Sequence, residues 1–370
     1  MSSMARELSY GPVIFLATMA LWIYSVAMAA FISQMVHTAD EGLEDLSWYK
    51  GNEVVNVVLL NILFGMVTLC FFRASGTLPG DVPSIYPWDP SLPAMSAEAI
   101  EFERIMAQKG LRNVRGLERK MDGRARFCRV CNRYKPDRAH HSSKFGECVL
   151  EMDHYCPWIR NVVGFRNKKF FLLLIFYGLA ALLFVCIALG PSFVFYCEQM
   201  AGPFDFVLVF TWLLACLLAT ALVPFAMMHC WLMVNAFTTI ELCEKRRAGA
   251  SKRNVQGIPV SMLYKSSPYD MGWYHNVTHL LGPWYLWFIP TRAKMPTGIF
   301  AGCVFDVNPE HPLYKSTIEG ASVGATSTGT EATTTHDTIG ELGIDEDDDG
   351  TFNADSVADK LLAEHALTNS

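Results

Sequence analysis

Four stretches of this 370-residue chain are almost free of charge, and each is long enough to cross a lipid bilayer. A helix that spans the hydrocarbon core needs about 20 apolar residues. Pro12–Ser33 lies in a run with no Asp, Glu, Lys or Arg between Glu7 and Asp40. Val54–Phe72 lies between Glu53 and Arg73, and Phe170–Phe195 follows Lys168 and Lys169. Phe206–Ile240 contains Pro224, His229 and Asn235, and its polar end places the bilayer exit near Val234. The expected spans are therefore 12–34, 54–72, 170–195 and 206–234. A signal peptide is the competing reading of the first, but its apolar core would be only about 7–15 residues. Charged residues make up 18% of the chain, against about 25% in soluble proteins. That deficit, confined to four blocks, excludes a cytosolic enzyme, a secreted disulfide scaffold and a fully disordered chain. The expected fold is an all-α polytopic membrane protein.

The net charge of −6 averages segments of opposite sign. Residues 73–168 hold more than half of the 30 lysines and arginines, whereas Asp345, Glu346, Asp347, Asp348 and Asp349 form an acidic run in the tail. Four spans place both termini and the 73–169 loop on one side. The opposite side, roughly residues 35–52 and 196–205, has Lys50 as its only Lys or Arg. The positive-inside rule then puts residues 1–11, the central loop and the C-terminal region 235–315 in the cytosol. Asn276–Ile289, with Trp284, Tyr285 and Trp287, is too short to span and reads as an interfacial segment. From residue 316 the composition turns to Thr, Ser, Gly and acid, so 316–370 is expected to be disordered. Basic charge beside spans suits anionic lipid or a phosphorylated cofactor rather than nucleic acid.

The central loop holds Cys128, Cys131, Cys148 and Cys156. In a reducing cytosol, Cys-x2-Cys indicates zinc or redox chemistry rather than a disulfide. Zinc takes four tetrahedral ligands, and two thiolates three positions apart share one ion within a tight turn. The spacing predicts a Cys3His site based on Cys128 and Cys131. Cys148, Cys156, His140, His141 and His154 all remain candidates for its other ligands. The expected architecture is thus four transmembrane helices with a zinc-stabilised cysteine-rich domain between spans 2 and 3.

The run CRVCNRYKPDRAHHSSKFGECVLEMDHYCPWIRNVVGFRNKKFF, Cys128 to Phe171, resembles the cysteine-rich domain of the DHHC protein S-acyltransferases, or palmitoyltransferases. Thr238-Thr239-Ile240-Glu241 stands where that family has its TTxE motif, and Tyr269 through Asn276 to Trp287 resembles its C-terminal aromatic/Asn element. The resemblance covers roughly residues 10–290, with the cysteine-rich domain at about 126–176. The signature itself is Asp153-His154-Tyr155-Cys156, a DHYC variant. Carried over by position, one zinc site is complete in Cys128, Cys131, His141 and Cys148. A second is missing entirely, since Ser142, Phe145, Tyr155 and Val162 occupy its ligand positions. One structural zinc ion is therefore expected, with apolar packing of Phe145, Tyr155 and Val162 in place of the second.

The resemblance implies transfer of a long-chain acyl group, such as palmitate, from acyl-CoA to cysteines of membrane-associated proteins. Cys156 is the expected nucleophile, His154 its base, and Asp153 the group that orients the imidazole. Thr238 and Thr239 are expected to hydrogen-bond Asp153, with Glu241 in the same motif, and Asn276 to pin the C-terminal element. Arg160, Arg166, Lys168 and Lys169 are candidates for the CoA phosphates. Trp158, Gly178 and Ala181 are candidates for the acyl cavity, although small residues also suit close helix packing. The expected partners are fatty acyl-CoA, substrate proteins with cytosolic cysteines and the bilayer. Golgi, endoplasmic reticulum and plasma membrane all fit. The competing function is an inert, zinc-stabilised membrane adaptor, motivated by the lost second site. A channel is a weaker reading, because no span carries an acidic or basic residue.

Overall fold

A computed structural model describes residues 10–40, 47–93, 96–111, 116–118, 124–199, 203–249, 254–255, 258–259, 265–291 and 300–318. Four long helices dominate it: α1 (Gly11–Asp40), α2 (Ser47–Gly76), α4 (Lys168–Gln199) and α5 (Pro203–Val234). Each contains a window apolar enough to cross a membrane: Gly11–Val36, Glu53–Gly76, Lys168–Pro191 and Phe206–Val234. At about 1.5 Å per residue, 24 residues reach about 36 Å, more than the hydrocarbon core requires. Their outward faces are as apolar as their inward ones. Phe72, Ile187, Phe206 and Leu217 are exposed, as lipid contact demands.

Neighbours run α1–α2–α4–α5 and back to α1, closing a four-helix ring. Lipid offers no hydrophobic drive for helix association, so close packing and interhelical hydrogen bonds hold such a ring together. Ala27, Ala30, Phe31, Val185, Leu189 and Ala215 pack at one level of the interior. Trp22 Nε1 donates to Thr211 Oγ1 at 3.0 Å, Tyr24 OH to Asn61 Oδ1 at 2.9 Å, and Trp212 Nε1 to the Cys186 carbonyl at 2.9 Å.

Between α2 and α4 the described residues form one short helix and three two-stranded antiparallel hairpins. Helix α3 (Ala97–Gln108) is capped by Ser96, whose hydroxyl accepts from the Ala99 amide. The hairpins pair β1 (Phe127–Cys128) with β2 (Arg133–Tyr134), β3 (His140–His141) with β4 (Cys148–Val149), and β5 (His154–Cys156) with β6 (Asn161–Val163). Backbone bonds from the segment after α2 hold them: Leu150 N to the Gly80 carbonyl and Arg166 N to the Pro79 carbonyl, both 2.9 Å. Gly164 sits where these segments converge. A Cβ there would lie 2.6 Å from Val149 Cγ1 and 3.0 Å from the Leu150 carbonyl, so only glycine fits.

Two features were not anticipated from the sequence. Trp88, Phe102 and Phe300 share one buried cluster with Cys128 and Cys148, so the segment 300–318 returns to pack on α3 and the cysteine-rich hairpins. A helix over 312–318 also extends three residues into the stretch expected to be disordered. The rest of that tail, from 319, lies outside the described residues, as do residues 1–9 and the Lys50 side chain.

α5 ends at Val234. The Ala236 amide bonds to the Met233 carbonyl and the Phe237 amide to the Leu232 carbonyl, with Ala236 at φ +52°. This is a Schellman stop without the usual glycine. Ser267 Oγ and Arg138 Nη2 both donate to the Ala236 carbonyl and hold the turn. The reversal points α6 (Thr239–Gly249) back at β5. The aromatic segment that follows, α7 (Trp273–Leu281) and a 3-10 turn (Trp284–Leu286), packs against α5 and α4 and exposes Trp273, Trp284, Tyr285 and Phe288.

Candidate active site and metal centre

The first two hairpins bring together the expected metal ligands. Cys128 ends β1 and Cys131 lies in the turn, where Asn132 adopts φ +53°. In the second hairpin His141 pairs directly with Cys148. The four ligand atoms lie within 4.8 Å of one another. His141 Nδ1 is 3.6 Å from Cys128 Sγ and 3.3 Å from Cys131 Sγ. Tetrahedral zinc, with Zn–S near 2.3 Å and Zn–N near 2.0–2.1 Å, has edges of about 3.6–3.8 Å, so the set fits one ion. Burial and the neighbouring Cys128 and Cys131 push the Cys148 thiol up. A divalent ion at the centre would bind the three sulfurs as thiolates and release their protons. Of the ligands the spacing left open, His141 and Cys148 join the cluster. His140, His154 and Cys156 do not, and among the described residues this is the one such group.

The third hairpin carries Asp153, His154 and Cys156 at the loop-side mouth of the helix ring. Pro157 and Arg160, at φ +52°, shape its turn. Asn161, paired with Cys156, donates through Nδ2 to the Ala74, Ser75 and Thr77 carbonyls, which locks the hairpin to the end of α2. Cys156 is buried in one apolar cluster with Ala74 of α2, Phe170, Phe171 and Ile175 of α4, and Ala226 of α5. Its thiol therefore borders the intramembrane interior.

His154 Nδ1 is 2.8 Å from Asp153 Oδ2, and Cys156 stands two residues on in the same strand, β5. Burial opposes charge on His154, but the bond to Asp153 and the neighbouring Cys156 outweigh it and raise its pKa from 6.5 to about 9. Asp153 is 1% exposed. Burial alone would raise its carboxyl, but the Lys168 ammonium, 3.0 Å from Oδ1, and the His154 bond hold it well below the usual carboxylate range. Thr239 completes the cage, donating its amide to Oδ1 at 3.1 Å and its hydroxyl to Oδ2 at 2.6 Å. The result is a charged aspartate that favours the imidazolium form of His154, in line with Cys156.

Thr238 departs from the expectation that it bonds Asp153. Its hydroxyl accepts from the Glu241 amide at 3.2 Å, and its own amide donates to Glu241 Oε2 at 2.8 Å. This is a capping box at the start of α6, legible in the Thr-x-x-Glu spacing and overlooked there. Glu241 in turn takes a bidentate pair from Arg138, with Nε–Oε1 at 2.7 Å and Nη2–Oε2 at 2.9 Å. Arg138 lies 3.5 Å from Glu151 and over the rings of Tyr269 and Phe305. A buried string Glu241–Arg138–Glu151–Lys168–Asp153 thus runs from α6 to the site. Sequence reasoning missed Arg138 and Glu151, because nothing local distinguishes them from surface charges.

That string corrects one expectation. Lys168 is buried against Asp153 and Glu151, and Lys169 donates to the Leu281 and Leu286 carbonyls at 2.8 Å each, so neither faces outward for a CoA phosphate. Arg160 and Arg166 are exposed, with the Arg160 guanidinium 3.8 Å over the Tyr10 ring. Trp158 is 44% exposed at the mouth, 6.4 Å from the Phe15 ring. A Cβ at Gly178 would make only an ordinary 3.8 Å contact with Leu222, so close helix approach does not dictate that glycine. Ala181 lies on the same helix, half-buried. Asn276 donates to the Val234 carbonyl and to Asp270, and accepts from the Met271 amide. Phe145, Tyr155 and Val162 pack with Val149, Met152 and Ile240 in one apolar cluster.

Residues 121–246 match the family model described as DHHC palmitoyltransferase. The mouse (Mus musculus) Palmitoyltransferase ZDHHC2 is 26% identical over 319 residues, covering 83% of this chain and 79% of the relative. The Arabidopsis thaliana "Probable protein S-acyltransferase 14" is 34% identical over 199 residues, 51% of this chain and 61% of the relative. Palmitoyltransferase PFA3 of Yarrowia lipolytica is 33% identical over 199 residues, 47% and 48% of the two chains. The matched region contains the metal cluster, the Asp153–His154–Cys156 line and the Thr239 cage. Residues 121–246 are thus similar to the DHHC palmitoyltransferase domain, and over most of its length the chain is similar to protein S-acyltransferases.

Proposed function

We propose that Cys156 carries the acyl group in a two-step transfer from a long-chain acyl-CoA to a cysteine of a membrane-associated protein. The observation that carries this reading is the line Asp153–His154–Cys156, closed at one end by Lys168 and Thr239 and open at the other to the apolar ring interior. His154 takes the Cys156 proton, and Asp153 stabilises the imidazolium so formed. The Cys156 sulfur attacks the thioester carbonyl, the tetrahedral species collapses, and the carbon–sulfur bond to CoA breaks. CoA leaves as a thiol with the proton from His154. In the second step the substrate cysteine gives its proton to His154 and attacks the acyl-enzyme. Cys156 then leaves and recovers the proton. The metal cluster binds no substrate in this scheme. Zinc at Cys128, Cys131, His141 and Cys148 would fix the two hairpins that support the third.

Arg160 and Arg166 are the proposed contacts for the CoA phosphates, since both are exposed. The acyl chain would enter beside Trp158 and run between the spans towards Gly178 and Ala181. The lysine and arginine bias of the 73–169 loop supports a cytosolic placement of the site and both termini. The test is hydroxylamine-sensitive labelling of the purified protein with palmitoyl-CoA, beside a Cys156→Ser variant. A thioester label that disappears with Cys156 supports the transfer. A folded, zinc-loaded protein that takes no label sinks it and leaves the inert adaptor.

A further inference from the structure

We infer that His229 is a catalytic residue of this site: its Nε2–H donates to the thioester oxygen as that atom becomes an oxyanion during attack by Cys156. The inference rests on the acyl-Cys156 reading above and adds the one element that reading lacks, a donor for the developing charge.

His229 lies on α5 and is 3% exposed. Its Nε2 is buried and has no hydrogen-bond partner among the described residues. Buried polar atoms are nearly always paired, so an orphan of this kind needs a reason. Its position supplies one. Ala226, one helical turn earlier on the same face, packs in the cluster that contains Cys156. The His229 ring centroid is 6.0 Å from that of His154 and 5.3 Å from that of Phe171, which itself stands 5.1 Å from His154. Phe225 closes the other side at 4.6 Å. The free nitrogen thus sits in an apolar wall shared by the nucleophile and its base.

Other roles fit less well. His154 Nδ1 is already committed to Asp153, and the acyl-transfer reading reserves its other nitrogen for Cys156, so it offers His229 no partner for proton relay. Metal binding is also unsupported, because the one cluster of metal-ligating groups among the described residues is the cysteine set. A neutral imidazole, by contrast, can polarise a carbonyl as a pure donor. Transition-state donors preorganised in an apolar pocket act without reorganisation, and are unpaired until the charge appears.

The test uses full-length protein in lipid nanodiscs and single-turnover acylation by palmitoyl-CoA, comparing wild type, His229→Leu and His229→Gln. Loss of an oxyanion donor lowers the rate by about 100- to 1,000-fold, so His229→Leu should slow acylation by at least about tenfold at saturating acyl-CoA, with the half-saturating concentration unchanged. His229→Gln keeps a neutral donor and should recover much of the loss. A structural role would not produce that rescue. A His229→Leu rate equal to wild type overturns the proposal, as does a defect confined to half-saturation or shared equally by the glutamine variant. Should His229→Leu fail to fold, the carbon-13-edited infrared carbonyl band of the acyl-enzyme decides between wild type and His229→Gln. A band at the free-thioester position in wild type overturns the donor assignment, and a band shifted to lower wavenumber supports it. Absence of any label in wild type would instead refute the acyl-Cys156 reading on which this rests.

Discussion

Asp153→Asn is the sharpest perturbation of the site, because it changes charge with almost no change of shape. Asp153 Oδ2 faces His154 Nδ1 at 2.8 Å, and Oδ1 faces Lys168 Nζ at 3.0 Å. His154 is raised from 6.5 to about 9 despite burial, which alone would lower it. A shift of that size corresponds to about 3 kcal/mol in favour of the imidazolium. The sign follows directly. A histidine whose folded pKa is raised contributes stability fully below about 6.5 and loses it as pH rises through about 9. The wild-type rate of acyl-enzyme formation should therefore decline as pH rises past about 9, because the imidazolium that hands its proton to the departing CoA is then lost. In Asp153→Asn burial is opposed only by Cys156, so the alkaline limb should move down towards 6.5. At neutral pH the rate should fall by about 10⁴, the loss seen when a triad aspartate is neutralised. The assay is single-turnover labelling with palmitoyl-CoA between pH 6 and 10, with zinc content and thermal transition measured alongside. An alkaline limb that stays in place in Asp153→Asn would refute the claim that this carboxylate holds the charge on His154.

Two further outcomes are expected. The purified chain should contain one zinc per molecule by elemental analysis, and Cys131→Ser should lose it, while Tyr155→His should leave the count at one because Ser142, Phe145 and Val162 still occupy the other positions. Lys169→Met should lower the thermal transition and speed proteolysis within 265–291. It removes two buried charge-assisted bonds, to the Leu281 and Leu286 carbonyls, at a net cost of about 1–3 kcal/mol.

The spans were legible from the sequence because hydrocarbon imposes one rule on every residue of a crossing helix, so charge-free runs mark it without knowledge of neighbours. The knuckle of Cys128 and Cys131 was legible for a similar reason: two ligands of one ion must lie close in a turn. The limits appear where residues distant in sequence meet. The spacing alone could not choose among His140, His141 and His154. That choice depends on the β3–β4 register, which sets His141 opposite Cys148, and the family resemblance anticipated it. Lys168 and Lys169 look alike beside Arg160 and Arg166 as juxtamembrane charge. Only the packing of α4 against the third hairpin and the aromatic segment turns the two lysines inward, to Asp153 and to the carbonyls of Leu281 and Leu286.

Thr238 and His229 mark the same boundary from two directions. The Thr-x-x-Glu spacing determines by itself that Thr238 caps a helix with Glu241, since that bond is local. Nothing local distinguishes His229 from a packed histidine in an apolar span. Its meaning arises when α5 folds beside β5 and leaves Nε2 buried without a partner next to His154. The sequence by itself determined the solvent each segment occupies and the ligands within one turn of each other. The tertiary structure decided which charges neutralise one another and which nitrogen is left free. Those depend on contacts across more than a hundred residues, as between Arg138 and Glu241, where side-chain identity carries no information about distance.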